Sequence, residues 1–406
     1  MRKILKRTEY VDKVRPFFDS DIIKVITGIR RSGKSRILDM IIDEIKKNGV
    51  DESHIIKINF DDMEYDFLIN AKSLDTYIKD QIKDKKKYYI FLDEIQNVEE
   101  FEKAIESLFT SKNVSIFITG SNSKLLSGEL ATLLTGRTVE FEVKPFTFFE
   151  YSEYNKINNL DFDEDEKFND YLKWGGFPLR FDYETDDSKS TYLNNLYNSI
   201  IEKDILGRYE IRNKNLFKRI ANYLMINPGK LLSIENIVNY IGVNEKDNVS
   251  KRTIYNYIDY LSTAYLTHPI KKYNIKGKNE LKNVDKYYII DTGFSYIKTN
   301  KINFDDTFLL ENIIYNELKY QGYAVFVGKT YKSEVDFVAI KNQKKYFIQV
   351  TYLLATEETI NREFGAFKPI TDASPKIVMS LDKIDFSRDG IRHMNILKFL
   401  LHKENL

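Results

Sequence analysis

Eight consecutive residues near the N-terminus, Gly28-Ile29-Arg30-Arg31-Ser32-Gly33-Lys34-Ser35, carry the spacing Gly-x-x-x-x-Gly-Lys-Ser. Glycines at the two ends let the backbone adopt conformations that a side chain would block, so amide N–H groups can point into a hollow the size of a phosphate. Lys34 is placed to reach the β- and γ-phosphates of a nucleotide, and the Ser35 hydroxyl to ligate Mg²⁺. Arg36 opens the helical pattern RILDMIIDEIKK, whose N-terminal dipole favours the same anion. Residues 28–36 are therefore the expected cofactor-binding positions, with ATP and Mg²⁺ as the cofactors.

Three further groups could serve that site. Asp93 and Glu94 end the run YYIFLDEI; Asp93 is expected to join Ser35 around Mg²⁺, and Glu94 to orient and deprotonate an attacking water. The run VSIFITGSNS ends in Thr119 to Asn122, where Ser121 or Asn122 can meet the γ-phosphate or the water. Arg137 sits in a Gly-Arg turn before VEFEV, and an arginine near a nucleotide can stabilise developing phosphoryl charge. Lys34, Glu94, Asn122 and Arg137 are thus the catalytic candidates, and Ser35 and Asp93 the metal ligands. The elements that must position them are short continuous apolar runs, the pattern of strands buried on both faces of a parallel sheet. Such sheets bind ligands beyond the carboxyl ends of their strands.

Taken together, GIRRSGKS, FLDEIQNV, FITGSNSKLL, TGRTVEFEVKPFTFFEY and YLKWGGFP resemble the prokaryotic AAA+-type ATPases in which an AAA domain is joined to a DUF4143 domain. The resemblance covers nearly the whole chain. It implies a RecA/AAA-like core with Asp93 and Glu94 in the second acidic motif and Ser121-Asn122 as the sensor region. It also implies a homo-oligomer, with Arg137 acting in its own site or in a neighbour's.

After the core, DFDEDEKFND (161–170) holds six acids against one lysine and is read as a solvated connection. YLKWGGFP and TYLNNLYNSIIEKDIL look like a small helical lid, with Trp174 and Phe177 as packing residues. LFKRIANYLMINPG, LLSIENIVNYIG and SKRTIYNYIDYLSTAYL then give three amphipathic helices, the second with Ser233 as N-cap and Gly242 after its end. Two strand-like runs follow around a lysine-rich loop. Three helices and a hairpin make a winged helix-turn-helix, in agreement with the family. Lys251, Arg252 and Asn256 would begin its recognition helix. The stretch 271–286 has six lysines and two acids, a local charge of +4. Lys271, Lys272, Lys276 and Lys278 there would contact DNA or RNA phosphates, unless the hairpin is merely solvated or binds protein.

The last part is laid out as a helix with Glu311, a hairpin with Asp336, and a strand with Gln349 and Thr351. This resembles the PD-(D/E)xK nucleases. Residues two apart on a strand share a face, so an acid and a lysine there can both meet a Mg²⁺-bound water. Here Gln349 and Thr351 stand where an active member would have Glu and Lys. The missing carboxylate and ammonium imply an inactive site, unless Lys344 or Lys345 substitutes in space.

The composition bounds the rest. The 406 residues contain no cysteine and four scattered histidines, which excludes disulfides, thiol chemistry and cysteine zinc sites. There is no 18-residue apolar stretch and no signal-peptide core, so no membrane is expected and a cytoplasmic location is. Lys+Arg 62 against Asp+Glu 61 gives a net charge of +1, which argues against a uniformly basic coat protein. The expected fold is α/β: a P-loop ATPase core over 1–155, a helical lid over 156–210, a winged helix-turn-helix over 211–295 and a nuclease-like α/β domain over 296–406. The expected function is a Mg²⁺-dependent ATPase coupled to the C-terminal module and associated with DNA. The alternatives are a protein-directed regulatory ATPase or an ATP-regulated nuclease with non-standard residues.

Overall fold

Apolar strands separated by helices can pair in parallel, because each helix carries the chain back to the start of the sheet. The computed structural model describes residues 2–111, 113–123, 134, 136–241, 250–299, 306–330 and 333–406. The chain divides into two compact units. The first comprises Ile4–Pro145 with Thr263–Tyr265, and the second Met1–Lys3, Phe146–Ser262 and Leu266–Leu406.

In the first unit the strands are β1 (Ile23–Thr27), β2 (Ile55–Asn59), β3 (Tyr88–Asp93), β4 (Val114–Gly120) and β5 (Thr138–Glu142). They lie in the order β2-β3-β4-β1-β5, with every neighbouring pair parallel. β1, β3 and β4 are buried along their whole lengths. Among the described residues the α-helices of this unit are α1 (Thr8–Val14), α2 (Lys34–Lys47), α3 (Ala71–Gln81) and α4 (Phe101–Phe109). Leu74 and Ile78 of α3 and Ala104, Ile105 and Leu108 of α4 share a core with Ile23, Val25, Ile90, Leu92, Ile116 and Ile118 of the sheet. Thr27 lies opposite Gly120 and Leu92 opposite Ile118. The segments after β1, β3 and β4 therefore leave the sheet at one edge, which is where the candidate residues lie.

The second unit begins with α5 (Phe148–Ile157), α6 (Glu164–Trp174) and α7 (Asp186–Ser199). The acidic stretch is solvated over 161–166 as expected, but it is more than a connection: from Glu164 it is the start of α6. Asp163 caps that helix and exchanges hydrogen bonds with Glu166, Phe168 is buried, and acids in a first helical turn face the positive end of the helix dipole. Trp174 and Phe177 are packing residues as expected, against Tyr296 and Phe294 respectively. Their Gly175-Gly176 pair is required by close approach. The Gly176 N–H donates to Asp291 Oδ2 at 2.6 Å, and a Cβ on Gly175 would fall 1.7 Å from Asp291 Oδ1.

The helices α8 (Lys214–Ile226), α9 (Ile234–Ile241) and α10 (Lys251–Thr263) follow. Gly242, expected to stop the second of them, lies outside the described residues. Next come β6 (Thr267–Asn274), β7 (Asn279–Ile289), α11 (Thr292–Lys298), α12 (Asp306–Tyr320), β8 (Ala324–Lys329), β9 (Glu334–Lys341), β10 (Lys344–Val350), α13 (Glu357–Gly365), β11 (Lys376–Ser380), β12 (Arg392–Asn395) and α14 (Ile396–Leu400). The strands form one seven-stranded sheet in the order β12-β11-β10-β9-β8-β6-β7. The hairpin β6–β7 is part of that sheet, because β6 also pairs in parallel with β8. The sheet thus crosses the boundary expected at 295/296. Tyr273 and Ile275 pack with Val335, Val338 and Phe347 in one core.

Candidate nucleotide site

The strand β1 is followed by a loop whose backbone only glycine can complete. Gly28 has φ +136°, and a Cβ there would lie 2.1 Å from the Val143 carbonyl oxygen. Gly33 has φ +103° and forms the N-cap of α2. Between them Ile29 is buried, Arg31 is exposed with φ +66°, and the Ser32 N–H closes a turn onto the Ile29 carbonyl at 3.2 Å. Ser32 is fully buried, and its Oγ has no hydrogen-bond partner. A cradle of this shape, with an unpartnered buried hydroxyl at its lip, fits the phosphates of a nucleotide.

Lys34 is 4% exposed and lies along this loop. Its Nζ donates to the carbonyls of Gly28 (3.2 Å) and Ile29 (3.4 Å) and pairs with Glu94 Oε1 at 3.3 Å. Asp93 ends β3 almost fully buried, with the Ser35 and Thr119 hydroxyls hydrogen-bonded to its carboxylate. Burial raises its pKa, and those two hydroxyls oppose the rise. Ser35 and Asp93 are thus adjacent, as a shared hard-oxygen site for Mg²⁺ requires. Glu94 takes a left-handed backbone conformation (φ +55°), and its N–H donates to Thr119 Oγ1 at 2.9 Å. Burial opposes ionisation of Glu94, but Lys34, Gln96 and Arg30 outweigh it and hold the carboxyl below its ordinary range. Glu94 is therefore an ionised base.

The other expected residues divide. Ser121 and Asn122 are buried just beyond β4, at the edge that carries the loop. Arg36 is exposed and paired with Asp39 at 3.7 Å along α2. Arg137 lies apart from them. Its carbonyl accepts the Ile23 N–H at the start of β1, and its guanidinium lies over the Phe109 ring. That is the opposite edge of the sheet, roughly 15 Å from the loop at strand spacing. Arg137 is therefore not among the side chains that the structure brings together at the loop.

Two contributors have no role in the sequence reading, although Thr119 stands at the polar end of its strand. Thr119 joins Asp93 to Glu94. Arg7, buried on the N-terminal side of α1, donates to the carbonyls of Ser32 (3.0 Å) and Lys144 (2.9 Å) and so clamps the loop from behind. Nothing local in the sequence distinguishes an arginine 25 residues from its acceptor.

In the second unit, Lys251, Arg252 and Asn256 are exposed on the first turns of α10, and Lys271, Lys276 and Lys278 are exposed on the hairpin. Lys272 is half-buried, and Lys271 pairs with Glu280 at 3.3 Å. Lys286 is another departure from a solvated basic wing. It is buried, with Nζ 2.8 Å from Glu334 and 3.5 Å from Glu311. Tyr288 also donates to Glu311. Across β9 and β10, Asp336 accepts the Val350 N–H at 2.8 Å and donates its own N–H to Gln349 Oε1 at 3.3 Å. Burial and the nearby Glu311 hold Asp336 well above the usual carboxylate range. Burial disfavours charge on Lys286 too, but Glu311, Glu334 and Asp336 together raise its pKa. Lys345 pairs with Asp372 instead, Lys344 is exposed, and the Thr351 N–H bonds to the Met379 carbonyl. Among the described residues no three His, Cys, Asp or Glu side chains are grouped to hold a metal ion. The ammonium in this cluster is Lys286.

Comparison with known proteins adds family relationships. Residues 20–152 match AAA_14, an AAA domain, and residues 165–313 match DUF8612, a domain of unknown function. The second match corrects the expected DUF4143 partner domain. An uncharacterized protein of Haemophilus influenzae is 35% identical over 404 residues, 98% of this chain and 99% of that protein. An uncharacterized protein of Methanocaldococcus jannaschii is 33% identical over 388 residues, 92% of this chain and 84% of that protein. The Walker-type ATPase PABY2304 of Pyrococcus abyssi superposes with a TM-score of 0.53 at 16% identity, covering 73% of this chain and 97% of that one; it shares the fold. No described helix is long and apolar enough to cross a membrane.

Proposed function

We propose that this chain, which belongs to the same family as the Haemophilus influenzae and Methanocaldococcus jannaschii proteins, binds and hydrolyses ATP with Mg²⁺ at the Gly28–Ser35 loop. The carrying observation is the convergence of Lys34, Ser35, Asp93 and Glu94 at one sheet edge. Mg²⁺, when bound, supplies positive charge beside the phosphates, and Ser35 and Asp93 would hold it. Lys34 turns from the loop carbonyls and Glu94 to the β- and γ-phosphates. Glu94 is then released from its ion pair, stays ionised, and accepts a proton from a water that it orients for in-line attack. Asn122 lies beyond β4 to contact that water or the γ-phosphate. Arg137, exposed at the far edge, would complete the site of a neighbouring subunit in a homo-oligomer.

The second unit acts as the effector of this cytoplasmic ATPase. Its three helices and hairpin make a winged-helix-like surface for DNA or RNA, carried by Lys251, Arg252, Asn256, Lys271, Lys276 and Lys278, with half-buried Lys272 contributing less. Its nuclease-like sheet is inactive, because Gln349 stands where a metal-binding carboxylate is needed and, among the described residues, no three acids are grouped to hold a metal ion; Lys286 supplies an ammonium there but not the missing carboxylate. This reading predicts that duplex DNA raises the ATPase rate and binds with a strong salt dependence. Neutralising Lys251, Arg252, Lys276 and Lys278 together should remove both effects, measured by filter binding and steady-state hydrolysis. An ATPase indifferent to DNA and RNA would favour the protein-directed alternative.

A further inference from the structure

Beyond β2 the chain exposes apolar side chains that no core claims. Met63 is 83%, Phe67 57% and Ile69 61% exposed. They alternate with Asp61, Asp62, Glu64 and Asp66, all exposed, and no Lys or Arg occurs from 60 to 69. The ridge is nevertheless built in place. Leu68 is buried in the first unit's core, and the rings of Tyr65 and Phe67 meet Tyr77 of α3 edge-on at 6.4 and 5.4 Å.

Both ends of the ridge are tied to the segment that leaves β3. At one end the Phe60 N–H donates to the Asp93 carbonyl (3.0 Å). There Asn97 Nδ2 also donates to the Phe60 carbonyl (3.2 Å) and to Asp61 Oδ1 (3.1 Å). At the other end the Glu99 N–H donates to the Ile69 carbonyl (2.9 Å), and the Ala71 N–H to the Glu99 carbonyl (2.9 Å). Within that segment the Asn97 N–H closes a turn onto the Glu94 carbonyl at 3.1 Å. One turn thus connects the Glu94 backbone to Asn97 and, through Asn97, to the ridge.

We propose that residues 61–69 are a docking ridge for a basic amphipathic segment of a partner protein, and that nucleotide at the Gly28–Ser35 loop alters its affinity for that segment. Three large apolar side chains supply the contact area, and exposed apolar groups of this kind mark interaction sites. The interleaved acids select Lys and Arg on the partner and repel phosphate backbones and anionic lipid. The nucleotide dependence rests on the ATPase reading, since the shift starts when Lys34 leaves Glu94.

The test uses the full chain and a fluorescein-labelled amphipathic peptide of Leu and Lys, with a Leu/Glu counterpart, followed by anisotropy. Binding of the Leu/Lys peptide is expected, and none of the Leu/Glu peptide. Met63→Ser/Phe67→Ser/Ile69→Ser, and separately Glu64→Lys/Asp66→Lys, should each weaken binding by about tenfold or more. All these positions are exposed, and an unchanged circular dichroism spectrum and melting temperature show that a variant keeps its fold. A non-hydrolysable ATP analogue with Mg²⁺ should change the parent's affinity by about threefold or more, and Asn97→Ala should abolish that response. Equal binding by the serine variant, or no binding by the parent, overturns the ridge. Light scattering that shows the serine variant losing self-association would assign the ridge to a second copy and overturn it as well. Unchanged peptide affinity in a sample shown to bind the analogue overturns the coupling. A parent that binds peptide but no nucleotide contradicts the ATPase reading, and the coupling with it, while supporting the ridge.

Discussion

Lys34 and Glu94 hold each other at 3.3 Å, both almost enclosed, so one contact aligns the two groups that the proposed hydrolysis would use. Arg7 acts one layer behind them, as a positioning residue. Its donors satisfy the carbonyls of Ser32 and Lys144, and a buried carbonyl left without a partner costs about 1–3 kcal/mol. Arg7→Met should lower the stability of the first unit by about that amount and raise the KM for ATP with a much smaller change in kcat. Arg7→Lys, which keeps one charged donor, should recover part of the KM. A denaturation series and steady-state kinetics check both. A fall in kcat at unchanged KM would mean that Arg7 touches the reacting phosphates.

At the scale of single elements, the two sheets carry unlike buried cations. Lys24 lies in β1, wholly buried, donating to Ser115 Oγ at 2.7 Å above the Phe117 ring. Burial lowers its pKa from 10.5 to about 7. Between those values the unfolded chain binds the proton and the folded chain does not, so stability must rise with pH over that window. Lys24→Met should flatten the rise, as seen by hydrogen exchange of β1 amides at pH 7 and pH 9.5. Lys286 in β7 is the opposite case, a buried cation whose pKa is raised, chiefly by Glu311 and Glu334. Lys286→Met leaves them uncompensated and should destabilise the second unit by about 3–5 kcal/mol. Adding Glu311→Gln should restore part of the loss. Trp174 is the one tryptophan of the chain and is buried in that unit, so its fluorescence reports the transition. What was legible from sequence follows the same division. The strand, glycine loop and helix of 21–47 are contiguous, and their spacing alone places Lys34 and Ser35. The pairing of β6 with β8 joins Lys272–Asn274 to Val327–Lys329, a long-range choice that no local pattern records. Lys286 looked like one more wing lysine for that reason. The start of α6 is a different failure: the Asp163–Glu166 capping spacing was present in the sequence and was hidden by the charge of its neighbours.

For the whole molecule, a net charge of +1 averages over opposed features. The acidic ridge at 61–69 belongs to the ATPase unit, whereas the exposed lysines of α10 and the hairpin belong to the other. On the proposed reading the first unit carries a surface for protein and the second a surface for nucleic acid. All of it depends on turnover at one loop. The most direct measurement is Mg²⁺-dependent ATP hydrolysis by the parent, Lys34→Ala and Glu94→Gln, with nucleotide binding followed in the same samples. The account predicts turnover by the parent and loss of both binding and turnover in Lys34→Ala. It predicts retained binding in Glu94→Gln with hydrolysis slowed about a hundredfold or more. Hydrolysis by Lys34→Ala at the parent's rate, or a parent that does not hydrolyse ATP, would contradict it.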